Sequence, residues 1–154
     1  MYRLIFLDID GVLNSQNKRK ELYEKTGKPH SGSSFPFDEK CLNNLKTIID
    51  ATDSYIVITS VWRKDRKSIE VLFRELFVYG LDRRVIGYTP ILNKSRGEEI
   101  KAFLDLMTVP YEYVIIDDDT DMEELKEHLV KTNNETGLTE EDSQKVIKKF
   151  LSNS

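Results

Sequence analysis

The sequence predicts an α/β domain built on a mostly parallel β-sheet. Three short apolar runs, Leu4-Ile5-Phe6-Leu7, Tyr55-Ile56-Val57-Ile58 and Tyr113-Val114-Ile115-Ile116, are continuous rather than alternating. Continuous runs of strand length mark strands buried on both faces. Helical patterns lie between these runs, and strands alternating with helices build parallel sheets. Val85-Ile86 and Leu129-Val130 read as two shorter strands nearer the sheet edges. The 154 residues are expected to form one domain spanning 1–154, on the scale of roughly 100–200 residues per domain.

Each helix has its own signal. Asp38 reads as the N-cap of a helix with Leu42, Leu45, Ile48 and Ile49 on one face. Residues 65–79 space Ile69, Leu72, Phe73, Leu76 and Phe77 for an inward face, and Gly80 reads as the stop. Residues 97–107 do the same with Ile100, Phe103, Leu104 and Met107. Thr139 with Asp142 resembles a capping box opening a last helix, with Val146, Ile147, Phe150 and Leu151 inward. Residues 14–37 break the rhythm, since a connection from strand to helix usually takes about 2–6 residues. That segment holds a charged stretch, Asn17 to Lys28, then Ser31-Gly32-Ser33-Ser34 and Pro36. It is expected to form a lid-like insert, because long inserted loops often bind or cover a ligand.

Composition removes several classes. Lys and Arg number 23 against 27 Asp and Glu, a formal charge of −4. General coating of nucleic acid is therefore not expected, because that binding rests on excess cations. A single cysteine, Cys41, allows neither an internal disulfide nor a multi-cysteine metal site, and no disulfide-linked partner is expected. Cysteine usage of this kind suits a reducing, cytoplasmic compartment. No stretch approaches the ~20 apolar residues of a membrane span, and no membrane partner is expected. His30 and His128 lack partners at metal-ligand spacing and read as structural or solvated.

The polar residues collect where the strands end. The first strand runs into Asp8-Ile9-Asp10-Gly11, the second into Thr59-Ser60, the third into Asp117-Asp118-Asp119. In open parallel sheets that edge binds ligands. An isolated Asp-x-Asp-Gly is an ordinary turn; convergence with Asp117 and Asp118 gives it a different meaning. Packed carboxylates repel one another, and a cation is needed to offset them. With hard oxygens as the only ligands on offer, Mg²⁺ fits. Asp8 and Asp10, two apart on an extended chain, point the same way, so one can hold metal and attack while the other handles a proton. Gly11 permits a sharp turn and leaves backbone N–H groups free for an anion.

At these residues the sequence resembles the haloacid dehalogenase-like (HAD) hydrolase superfamily. The resemblance rests on four ordered motifs: Phe6-Leu7-Asp8-Ile9-Asp10-Gly11-Val12-Leu13-Asn14; Ile56-Val57-Ile58-Thr59-Ser60; Arg96-Gly97-Glu98-Glu99-Ile100; and Val114-Ile115-Ile116-Asp117-Asp118-Asp119-Thr120-Asp121. It implies a Rossmann-like three-layer sandwich with sheet order 5-4-1-2-3, a short insert in place of a large cap domain, and Mg²⁺-dependent phosphoryl transfer. By the same resemblance Asp8 is the nucleophile that forms an aspartyl-phosphate. Asp10 protonates the leaving oxygen and then activates water. Thr59 holds a phosphoryl oxygen, and Arg96 neutralises phosphoryl charge. Gly11, Ser60 and Lys94 join Thr59 and Arg96 as expected phosphate contacts. Lys94 competes with Arg96 for the third motif; Arg96 is preferred because Arg-Gly-Glu abuts the helix and an Arg grips phosphate bidentately. The metal is expected on Asp8, Asp10 (through its carbonyl) and Asp118, with Asp117 in support or, after a one-residue slip, in direct contact.

The expected substrate is a phosphorylated small molecule or a polynucleotide end. Lys18, Arg19, Lys20, Arg63, Lys64, Arg66, Lys67, Lys94 and Arg96 lie on segments facing the catalytic edge, and a basic rim steers anions toward a cleft. Arg63, Trp62, as a stacking surface for a base, and Asp121 are candidate substrate contacts. The stretch around Val57-Ile58-Thr59-Ser60-Val61-Trp62-Arg63, with Gly137-Leu138-Thr139, also looks like the small HAD domains of RNA-repair proteins. Three alternatives stand beside a phosphatase. One is a silent phosphate- or nucleotide-binding module. Another is a receiver-like phospho-switch domain, which the motif order disfavours. The third is a phosphotransferase that uses an alcohol in place of water.

Overall fold

The computed structural model describes residues 1–152; Asn153 and Ser154, the last two of the expected 1–154 domain, lie outside the described residues. Five strands form one sheet: β1 (Tyr2–Leu7), β2 (Tyr55–Ile58), β3 (Val85–Tyr88), β4 (Tyr111–Asp117) and β5 (Leu129–Lys131). Their order is β3-β2-β1-β4-β5, and every pairing is parallel. This is the sheet order the motifs implied, with the two short strands at the edges.

Two apolar layers enclose the sheet. Ile5 and Leu7 of β1 face a cluster with Leu42, Leu45 and Ile48 of α2 (Glu39–Thr52), Leu72 and Leu76 of α3 (Arg66–Val78), and Val146 and Phe150 of α5 (Glu140–Leu151). Leu4 and Phe6 face the other side, against Ile100 and Leu104 of α4 (Arg96–Leu104) and Met122. A continuous apolar run is needed in β1 because neither face meets water. The expected caps form: Asp38 accepts the Lys40 N–H, and Thr139 with Asp142 closes a reciprocal capping box.

Register lines up the ends of the three central strands. Leu7 pairs with Ile58 on one side and with Ile116 on the other. The next residues along the three chains, Asp8, Thr59 and Asp117, therefore leave the sheet side by side.

Three local features differ from the sequence reading. The insert contains a helix, α1 (Gln16–Thr26), which buries none of its residues. Apolar periodicity could not announce it. It is held by the Ser15 side chain at its start, by left-handed Gly27 at its end, and by Glu21 ion pairs with Lys18 and Lys25. Phe77, expected inward, is 69% exposed. The buried stripe of α3 is Ser68, Leu72 and Leu76, and Phe77 lies about 100° further round the helix. Leu151, expected inward on α5, is 43% exposed.

Candidate active site

Asp8 sits at the centre of the edge and is almost wholly buried. Its Oδ2 lies 3.1 Å from Arg96 Nη1, which also donates to Asp117 Oδ2 at 2.6 Å. Asp117 is fully buried, and its second oxygen accepts the Asp119 N–H at 2.9 Å. Asp118 stands opposite Gly11. A Cβ on Gly11 would collide with Asp118 Oδ2, and Gly11 has φ +80°, so glycine is required twice over. Asp8, Asp117 and Asp118 each bring a carboxylate oxygen within 4.8 Å of the others.

The electrostatics of this cluster are unbalanced. Burial, then repulsion from Asp117, holds the Asp8 carboxyl well above its ordinary range, although Arg96 pulls it back. Asp118 is raised by burial and by the charge of Asp117. Burial alone would make Arg96 easier to deprotonate, but the facing carboxylates of Asp8 and Asp117 outweigh it and hold the guanidinium charged. Three carboxylates against one guanidinium leave a negative excess that a divalent cation would neutralise. The donors are hard oxygens, which such a cation prefers. The acidic cluster is thus able to coordinate a divalent metal.

Thr59 and Asp10 complete the edge. Thr59 is 1% exposed, and its Oγ1 has no hydrogen-bond partner. A buried hydroxyl left unpaired costs free energy, so it is fitted to an acceptor that the polypeptide does not supply. The neighbouring Ser60 Oγ accepts the Trp62 N–H and caps the 3₁₀ turn Val61–Lys64. Asp10 is gripped through one oxygen only. Its Oδ1 accepts from Asn14 Nδ2 and from Trp62 Nε1, both at 2.8 Å. Asn14 Oδ1 in turn accepts the Gly11 N–H at 2.8 Å, and Thr132 Oγ1 donates to the Gly11 carbonyl at 2.7 Å. Every turn of the loop from Asp8 to Asn14 is pinned.

The expected substrate contacts fare differently. Trp62 is 3% exposed, with Phe37 packed edge-on at 5.4 Å; it offers no open face to a base, and its indole N–H serves Asp10. Arg63 is also buried. It donates to the carbonyls of Thr59, Ser60, Thr89 and Pro90 and pairs with Glu99 at 2.9 Å. That guanidinium is fully occupied in joining the loop after β2 to α4. Asp121 bonds Arg96, through the backbone: its Oδ2 accepts the Arg96 N–H at 3.2 Å, and its carbonyl accepts the Gly97 N–H. It holds the first turn of α4, whose N-cap is Ser95. Gly97 lies so close to the Met122 carbonyl that a Cβ would not fit. This close approach brings Arg96 over the acids. Lys94 is exposed, outside the cluster.

Asn14, Glu99 and Thr132 were not singled out from sequence. Asn14 lay inside the first motif with no role given to it. Glu99 likewise lay inside the third motif with no role given to it, and Thr132 carried no signal, since its partner Gly11 is distant in the chain.

No match arises with curated proteins or with solved structures. The family model describing the HAD domain in Swiss Army Knife RNA repair proteins matches residues 4–143. That match covers nearly the whole chain, and the nucleophile-type Asp8, the acidic cluster and the parallel sheet agree with it; the chain belongs to this family of HAD domains and carries the catalytic residue arrangement of a HAD-type phosphatase.

Proposed function

We propose that the chain is a Mg²⁺-dependent phosphomonoesterase that works through an aspartyl-phosphate and acts on a phosphorylated polynucleotide end. The observation that carries the reading is Asp8, buried among Asp117, Asp118 and Arg96 beside the unpartnered Thr59 hydroxyl. The description of the family as part of RNA-repair proteins supports the substrate class.

The residues divide the work. An Asp8 oxygen attacks phosphorus, and the bond from phosphorus to the ester oxygen breaks. Asp10 gives its proton to that departing oxygen, leaving a free alcohol and a phosphoryl group on Asp8. Asp10, now ionised, takes a proton from water, whose oxygen attacks phosphorus. The Asp8–phosphorus bond breaks, phosphate leaves, and both carboxyls return to their starting state. A carboxylate nucleophile divides one hard step into two easier ones, and one group serves as acid and then base. The Trp62 and Asn14 donors on Oδ1 leave Oδ2 of Asp10 for the proton.

Thr59 Oγ1 donates to a phosphoryl oxygen, with Gly11 and Ser60 beside it, and Arg96 offsets phosphoryl charge. Asp8, Asp118 and the Asp10 carbonyl would hold Mg²⁺, with Asp117 locked to Arg96 in support; the cation adds positive charge against the phosphoryl oxygens when bound. Residues 14–37 serve as a lid-like insert rather than a full cap, leaving the edge open to a macromolecule.

The test is phosphate release from an aryl phosphate by the native chain and by Asp8→Asn. Turnover that EDTA removes and Asp8→Asn abolishes is the expected result. Native activity in Asp8→Asn would overturn the choice of nucleophile. A native chain silent on aryl phosphate and on phosphorylated oligonucleotides would instead be a binding module.

A further inference from the structure

The insert carries a pocket of its own. Helix α1 buries no residue, yet one of its faces looks onto the chain that returns toward α2. Gln16, Arg19, Lys20, Tyr23 and Glu24 fall at the i, i+3, i+4, i+7 and i+8 positions of that face. With Pro29 and His30 from the returning chain, they line a space of about 280 Å³. Packed side chains leave few voids larger than a water, so this space is not ordinary helix packing. It has room for one ligand at the small end of the usual range, roughly 300–1,000 Å³.

The lining groups are left without protein partners. The His30 imidazole buries its Nε2, and no group of the polypeptide bonds it. An imidazole nitrogen is a donor or an acceptor, and leaving it buried and unpaired costs free energy. Arg19 and Lys20 make no ion pair among the described residues; Glu21, on the same helix, is taken by Lys18 and Lys25. The Arg19 guanidinium lies 5.1 Å from the centre of the Phe35 ring, itself part of the main core, which restrains its direction. Tyr23 is 53% exposed, so its ring is open to a partner. Glu24 adds a carboxylate to the lining.

We infer that this pocket binds one nucleotide unit, its base against the rings of Tyr23, Pro29 and His30 and its phosphate toward Arg19 and Lys20. Every base has a flat face that stacks on an aromatic ring. Its edge carries donors and acceptors together, which suits an imidazole nitrogen, the Gln16 amide and the Glu24 carboxylate. An acidic peptide would meet Glu24 and leave the rings unused. The unit has two sources: a nucleotide of the polynucleotide acted on at Asp8, or a free mononucleotide. The pocket includes Gln16, two residues along the chain from Asn14, whose amide bonds Asp10; that proximity is what admits the first source. Only the first source rests on the phosphatase reading.

Two histidines make the test direct, because proton–nitrogen NMR of the His30→Gln variant tells the imidazole signals of His30 and His128 apart. AMP, ribose 5-phosphate and inorganic phosphate are titrated into the native chain in EDTA, which keeps the mononucleotide from turnover. AMP is expected to shift the His30 signals and leave those of His128 in place; the two ligands without a base are expected to shift neither. Tyr23→Ala is expected to weaken AMP binding by about fivefold or more, the lower end for a lost stacking contact, and Tyr23→Phe to keep it. No His30 shift with AMP, equal shifts from AMP and ribose 5-phosphate, or unchanged AMP affinity in Tyr23→Ala would each overturn the pocket. The source is then read from KM for a phosphorylated single-stranded RNA of about 12 nucleotides, within the range of single-strand site sizes. A severalfold rise in Tyr23→Ala assigns the pocket to the substrate chain, and an unchanged KM assigns it to a free mononucleotide. A native chain that hydrolyses no RNA removes the phosphatase reading and the first source with it, while the His30 titration still decides the pocket.

Discussion

The loop from Asp8 to Asn14 and the helix that follows it, Gln16–Thr26, are neighbours in sequence and opposites in construction. In the loop, Gly11 and Asp10 are tied to Asn14, Trp62 and Thr132, and Ile9, Val12 and Leu13 are fully buried. The helix buries nothing; its first two N–H groups donate to the Asn134 and Glu135 carbonyls, and the rest of it relies on its end caps and surface ion pairs. The loop is held by contacts from distant parts of the chain, whereas the helix beyond its first turn is held locally. Local contacts of this kind open easily, so the helix beyond its first turn can open without disturbing Asp8.

The largest expected effect breaks the rigid region outright. Glu99→Ala strands the buried Arg63 guanidinium and is expected to cost about 3–5 kcal/mol, read from urea or thermal unfolding. Lys25→Ala, in the exposed helix, is expected to change stability by less than about 0.5 kcal/mol. Equal losses in the two variants would erase the contrast.

Trp62→Phe keeps the ring but removes one donor from Asp10. A drop in kcat of roughly tenfold to a hundredfold, the scale of a misplaced catalytic group, is expected with KM and far-UV dichroism preserved. Full activity would mean that Asn14 alone fixes the carboxylate.

Asp8→Asn sharpens the electrostatic side. The folded protein holds Asp8 above its unfolded value, so folding favours the protonated carboxyl. That contribution is complete below the unfolded carboxylate range and is lost as pH rises through the raised folded value. The inactive variant is therefore expected to melt above the native chain at neutral pH in EDTA, with the gap closing in acid. A gain of ~1 kcal/mol would move Tm by roughly 2–4 °C. A lower Tm at neutral pH would mean that Arg96 needs Asp8 more than the repulsion costs.

Hydrogen exchange gives a gentler comparison. Amides of Gln16–Thr26 are expected to exchange well before those of β1, whose bonds lie at the centre of the sheet. The smallest effect concerns Cys41, whose thiol burial pushes up to about 12. It should resist a thiol reagent until the chain unfolds; rapid labelling of folded protein would place it on an opening segment.

Much of this molecule was legible before folding was considered. The three apolar runs had to be central strands, and Val85-Ile86 and Leu129-Val130 took the edges. The acids after β1 and β4 and the Thr after β2 were foreseeable because each ends a strand in the same sense. α1 was not legible, since a helix with no buried face leaves no periodic trace. Trp62 and Arg63 were misjudged for a different reason. An aromatic and a cation beside a phosphate motif look like substrate contacts, yet both turn inward, one to Asp10 and one to Glu99.

The amino-acid order by itself determined the parallel sheet, the convergence of acids at one edge and the motif set of a HAD domain. These depend on local patterns: runs of apolar residues, and what stands directly after them. Tertiary structure decided which cation meets the acids, Arg96 rather than exposed Lys94, and which oxygen of Asp10 stays open. It also turned Trp62 toward Asp10 and Arg63 toward Glu99. Those outcomes hang on distances between residues far apart in the chain, and only the packed fold sets such distances.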